Sequence, residues 1–120
     1  MFVNFSPAVS DEAAKKIRRR IRRLRIHLWS GTTLKRIARE INPIVHGWIN
    51  YYGKFYPAVL AKSLRSIEMY LVRWAMRKYK RLRGHYMRAW RFLDRVAKRE
   101  PRLFAHWRLV RAQSWMVGTV

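Results

Sequence analysis

The stretch Leu34–Tyr52, LKRIAREINPIVHGWINYY, decides the fold class. Its apolar residues Leu34, Ile37, Ala38, Ile41, Val45, Trp48 and Tyr52 recur at spacings of 3, 1, 3, 4, 3 and 4. That pattern lines one face of an α-helix and neither face of a strand. Thr33 (or Thr32) stands where a helix N-cap is needed, because a hydroxyl there can accept from an orphan backbone N–H. Pro43 falls inside the pattern. It is expected to bend the helix or break it into two, since it lacks a backbone donor and crowds the preceding turn. Gly47 offers a point of close backbone approach, and Gly53 is expected to end the segment.

Working outward, residues 1–9 read as an extended lead-in, with Pro7 steering Ser6 away from helix. Ser10 is the expected N-cap of a first helix, with Asp11 and Glu12 complementing the dipole of its first turn. Ile17, Ile21, Leu24 and Leu28 form its stripe, so it should reach Leu28 or Trp29 and close at a left-handed Gly31. Downstream, Pro57 suits the first turn of a longer helix striped by Leu60, Leu64, Ile67, Leu71, Trp74 and Ala75 and stopping near Gly84. Met87, Trp90, Leu93 and Val96 or Ala97 suggest a fourth helix that ends before Pro101. Phe104, Trp107 and Leu109 form another apolar cluster, while Gln113 to Val120, with Trp115 and Met116, are left unassigned. Alternating strand patterns, internal repeats and low-complexity segments are absent from the sequence. The expected architecture is all-α: a small bundle of about three main helices over residues 1–83, with a helical C-terminal extension over 84–120. Trp48, Tyr52, Trp74, Trp90 and Trp107 are assigned to its core.

The chain has 120 residues, no cysteine, and a formal charge of +22 from 28 Lys and Arg against 6 Asp and Glu. Without cysteine, disulfides, thiolate zinc sites and cysteine nucleophiles are excluded. Half of the residues are apolar, including 6 Trp, 6 Tyr and 5 Phe, which is too many for a disordered basic tail. So strong a charge repels itself unless a polyanion screens it. The first residues lack the basic flank and cleavage site of a secretory signal, and no run approaches the length of a membrane span. A cytoplasmic protein with an anionic partner is expected. A cationic helix acting on membranes is disfavoured, because the bundle consumes the apolar stripe that insertion needs.

Catalytic chemistry finds no support. Two-metal phosphoryl transfer needs converging carboxylates, and Asp11, Glu12, Glu40, Glu68, Asp94 and Glu100 are scattered. His27, His46, His85 and His106 lack metal-ligand spacing and have no acidic sequence neighbour to orient a base. No cofactor is implied and the chain by itself is read as non-catalytic. Binding chemistry is better supplied. Lys15, Lys16, Arg18, Arg19, Arg20, Arg22, Arg23 and Arg25 cover the polar faces of the first helix, and no acidic residue lies between Lys15 and Arg39. A merely solvated face usually mixes signs. Arg outnumbers Lys, which suits bidentate phosphate contacts and stacking. The candidate RNA-binding set is Lys15, Lys16, Arg18, Arg19, Arg22, Arg23, Arg25, Lys35, Arg36, Arg39, His46, Asn50, Tyr51, Arg73, Arg77, Lys80 and Arg81. Tyr51 is included because it lies off the apolar stripe that carries Trp48 and Tyr52.

The run Ile41-Asn42-Pro43-Ile44-Val45-His46-Gly47-Trp48-Ile49-Asn50-Tyr51-Tyr52 resembles the signature of the group II intron maturase-specific domain. That signature reads Leu-Asn-Pro, two apolar or basic residues, then Gly-Trp-x-Asn-Tyr and an aromatic. Ile41 stands where the family usually has Leu, and His46 where it often has Arg. The upstream SPAVSDEAAKKIRRRIRRL looks like the basic helix that precedes the signature. LFAHWRLV (103–110) and the terminal WMVGTV are similar to the ends of bacterial members without an endonuclease domain. The resemblance implies the thumb and maturase region of an intron-encoded reverse transcriptase. Its expected partners are group II intron RNA, target DNA and the polymerase portion of such a protein. No Tyr-x-Asp-Asp motif occurs in the chain, so a piece lacking the polymerase is expected. The alternative is a generic basic nucleic-acid-binding helical protein without intron specificity.

Overall fold

The computed structural model describes residues 7–111 and is built from helices: α1 Pro7–Leu24, α2 Leu34–Tyr52, α3 Pro57–Lys78, α4 Tyr86–Arg99 and the single turn α5 Trp107–Val110. Short 3₁₀ turns, Ile26–Leu28 and Lys80–Leu82, follow α1 and α3. The all-α expectation holds. The lead-in 1–6 and the tail 113–120 lie outside the described residues.

Helix α3 is the axis of the molecule, and α1, the Ile26–Leu28 turn, α2, α4 and α5 all pack against it. Its expected stripe of Leu60, Leu64, Ile67, Leu71, Trp74 and Ala75 is buried throughout. Ala61, Ser63, Glu68 and Val72 are buried as well, so the covered arc is wider than one amphipathic face, as a helix enclosed by several neighbours requires. One hydrophobic cluster joins Ile17 and Ile21 of α1, Ile37, Ile41 and Val45 of α2, Leu93 and Val96 of α4, and Phe104, Trp107 and Val110. Trp48, Tyr52 and Trp90 are half-buried and packed on that cluster.

Several boundaries differ from the sequence expectations, each for a local reason. Helix α1 begins at Pro7, whose fixed φ suits the first helical position. Ser10 is thus inside the helix, and Asp11 and Glu12 lie beyond its first turn. The helix stops at Leu24 because Arg25 turns left-handed, φ 51° and ψ 46°. That step throws the following residues off the α1 register: Leu28 is 43% exposed and Ile26 is fully buried. Among the described residues, the glycine with positive φ is Gly84, at 78°, and not Gly31. Helix α2 runs unbroken through Pro43. Pro43 and Arg39 lie on its exposed side, where water can satisfy the Arg39 carbonyl that the ring leaves unserved. A Cβ on Gly47 would meet open space, so no backbone approaches there, whereas one on Gly53 would overlap the Ile49 carbonyl oxygen. Gly53 ends α2 as expected, and Thr33 Oγ1 caps its start by accepting from the Arg36 amide at 3.2 Å. Helix α3 stops at Lys78, short of Gly84, because Tyr79 is extended. In α4, Met87 is 61% exposed and Ala89 takes its place in the core.

Two side-chain clamps tie distant segments together. Asn42 of the Asn-Pro pair donates to the Leu103 carbonyl at 3.0 Å and accepts from the Ala105 amide at 2.9 Å, fastening residues 103–105 to α2. On the other side, Trp74 Nε1 donates to the Trp29 carbonyl at 2.7 Å. Lys78 Nζ donates to the carbonyls of Ser30 and Thr32 at 3.1 and 2.8 Å. The loop after α1 is thereby held to the end of α3.

Candidate nucleic-acid interface

The apolar stripes turn inward, so the basic residues between them face water. Lys15, Lys16, Arg18, Arg19, Arg22 and Arg23 are exposed on α1, and Arg25 is exposed at its left-handed end. Lys35, Arg36, Arg39, His46 and Asn50 are exposed on α2, as are Arg73, Arg77, Lys80 and Arg81 at and after the end of α3. Tyr51 is 71% exposed. Its ring meets that of core-packed Tyr52 edge-on at 4.8 Å, which gives it the support a stacking surface needs.

Among the described residues, the carboxylates that share α1 and α2 with these cations, Asp11, Glu12 and Glu40, form no ion pair with them. Asp11, Glu12, Glu40 and Glu100 are exposed. Glu68 is buried at the centre of α3, 2% exposed. It accepts from Arg111 Nε at 2.7 Å and from Trp107 Nε1 at 3.1 Å, and His106 Nε2 lies 3.5 Å away. Arg111 also donates to Asp94 at 2.6 Å. His106 therefore does have an acidic neighbour in space, 38 residues away in the chain, which its sequence surroundings concealed. Burial pushes the Glu68 carboxyl up, but the hydrogen bond and charge of His106, the Arg111 guanidinium and the Trp107 indole together hold it below the usual carboxylate range. Among the described residues, Arg111 is the one Lys or Arg ion-paired with a carboxylate.

The fold gathers some of the candidates into concavities. A groove of about 500 Å³ is lined by His27 and Ser30 from the loop after α1, Arg73, Met76 and Arg77 from α3, and Arg83 and Gly84. The His27 ring packs on Tyr70 at 5.4 Å. Burial, then the charges of Arg73, Arg77 and Arg25, hold it below the usual imidazole range. A smaller cleft of about 280 Å³ sets Arg81 beside Arg88, Arg91 and Arg95 over Leu82. His46 lies in a larger groove of about 800 Å³ with Asn42, Phe104, Trp107, Arg102 and Arg108. Arg83, Arg88, Arg91 and Arg95 were not in the candidate set. The last three recur at spacings of 3 and 4 opposite the buried face of α4, a signal the sequence did carry. Among the described residues, no group of three or more His, Asp or Glu side chains could hold a metal ion, and no helix is long and apolar enough to cross a membrane.

The family description "Group II intron, maturase-specific domain" matches residues 14–92. The chain belongs to that family. No curated protein and no solved structure matches it. The maturase-specific match begins in α1 and ends within α4. It contains the Asn42-Pro43 clamp, exposed Tyr51, and every residue lining the His27 groove. The matched unit is the maturase-specific one and not the catalytic polymerase.

Proposed function

We propose that this maturase-specific domain binds group II intron RNA through its arginine-rich helices and thereby promotes splicing and intron mobility. On this reading it is non-catalytic by itself, acts in the cytoplasm, and works with the polymerase portion of an intron-encoded protein. Target DNA is a second polyanion for the same surface. The observation that carries the reading is charge without partners: the exposed cations of α1, α2 and α3 have no carboxylate against them among the described residues. RNA packs phosphates closely, and its splayed bases stack on aromatic or guanidinium planes. Arginine faces beside an exposed, supported Tyr51 supply both needs.

The test is affinity for structured intron RNA as salt is raised. With roughly 6 to 10 phosphate contacts, binding should weaken about 10³- to 10⁵-fold between about 50 and 200 mM salt. Intron RNA should outcompete an RNA duplex of equal length near physiological salt. Arg19→Ala with Arg22→Ala should weaken binding to both, whereas Asn50→Ala with Tyr51→Ala should remove the preference. Equal affinity for the two RNAs would sink the maturase reading and leave a generic nucleic-acid binder.

A further inference from the structure

The His27 groove contains more positive charge than folding needs. Arg73 and Arg77 are four residues apart on α3, a spacing at which like charges repel. The turn at Gly84, with its positive φ, ends the segment that brings Arg83 to the same groove. The left-handed Arg25 adds a fourth guanidinium whose field reaches His27, at the backbone cost such a conformation carries in any residue with a Cβ. Tyr70 is the remaining titratable group against the His27 ring, and no carboxylate is paired with any of these arginines among the described residues. His27 Nδ1 is shielded from solvent and has no hydrogen-bond partner there, an arrangement folded proteins rarely leave standing. The Lys78 and Trp74 bonds to the 29–32 loop hold the groove in shape without any ligand.

We propose that this groove is a phosphate site, in which Arg73, Arg77 and Arg83 hold one phosphodiester of a bound RNA strand against the His27 ring. Guanidinium forks match phosphate oxygens bidentately, and the groove's 500 Å³ is many times the roughly 30 Å³ share of one water. A phosphate there offsets part of the positive field that the arginines set up. His27 then holds its proton to higher pH than in the free chain, and the protonated ring adds a further positive charge beside the anion. The assignment of RNA as the source rests on the function proposed above, while the anion chemistry of the groove does not.

The experiment follows the His27 ring by NMR in the full chain through a pH titration. It is run in chloride, with inorganic phosphate at matched ionic strength, and with intron RNA. Phosphate and RNA should each raise the His27 midpoint by about one pH unit or more. Arg73→Gln with Arg77→Gln should abolish the rise and lower the log–log salt slope of RNA binding by about 2. Lys62→Gln with Arg65→Gln removes the same charge from an exposed part of the same helix and should preserve the rise. RNA that binds tightly while His27 stays unmoved would overturn the groove and leave RNA binding intact. A rise with phosphate but none with RNA, in a chain that fails to bind RNA, would overturn the RNA assignment. An equal rise in both double variants would show a diffuse field and overturn the site.

Discussion

His106 and His27 flank the same helix in opposite electrostatic surroundings. His106 is fully buried 3.5 Å from Glu68, in a network that also takes the indole of Trp107 and the guanidinium of Arg111. His27 packs on Tyr70, and the charges that act on it are those of arginines. The contrast shows how a chain with 28 cations and 6 carboxylates uses its scarce acids. Glu68 and Asp94 are engaged where a distant segment is pinned to α3 and α4, and buried Glu68 needs its partners because a buried charge without one is costly. Exposed arginines carry no such penalty. They are left free around the loop after α1, where the positive field is available to a polyanion.

The contrast is most sharply tested at Glu68. Replacing it by Gln leaves Arg111 and His106 without their buried anion and should cost about 3 kcal/mol in urea unfolding, with RNA affinity unchanged under conditions where the variant is folded. A loss below about 1 kcal/mol would mean that the network behaves like a surface pair and that the two regions do not differ as described. Lys78→Met removes two hydrogen bonds from a charged donor and should cost about 1–2 kcal/mol. It should also weaken RNA binding, because the His27 loop loses its anchor. Arg25→Gly relieves the left-handed strain and should gain about 0.5–1 kcal/mol while RNA affinity falls. Stability and binding moving together there would break the division of labour.

The smallest effect is in pH. Both Glu68 and His27 titrate below their ordinary values in the folded chain, so the unfolded chain holds more protons in each window and stability rises with pH. The His27 contribution declines as pH falls below 6.5, and the Glu68 contribution as it falls below 4.5, toward their folded values. Urea midpoints measured down this range should fall in two separate steps. Saturating RNA should flatten the upper step and leave the lower one.

Element types and stripes were legible because periodicity is a local property. Leu60 to Ala75, Ile37 to Val45, and the caps at Thr33 and Pro57 needed only neighbouring residues. Breaks in the backbone were less legible. Nothing in the composition around Arg25 distinguishes a left-handed arginine from one more helical residue, and extrapolating the stripe placed Leu28 inside. The structural role of Asn42 was hidden because Leu103 lies 61 positions away in the chain. The Glu68 network was hidden likewise, since an isolated Glu in a basic sequence looks like a solvated charge.

Local side-chain chemistry, readable in linear order, settled that this chain is helical, lacks thiol chemistry and carries a large unbalanced positive charge. It also displayed the Asn-Pro and Gly-Trp-x-Asn-Tyr pattern of its family. Which arginines stand together, which histidine meets a carboxylate and where grooves open were decided by packing around α3. Those contacts join residues 38 to 63 positions apart, and proximity over such separations arises from burying apolar faces together, not from any spacing along the chain.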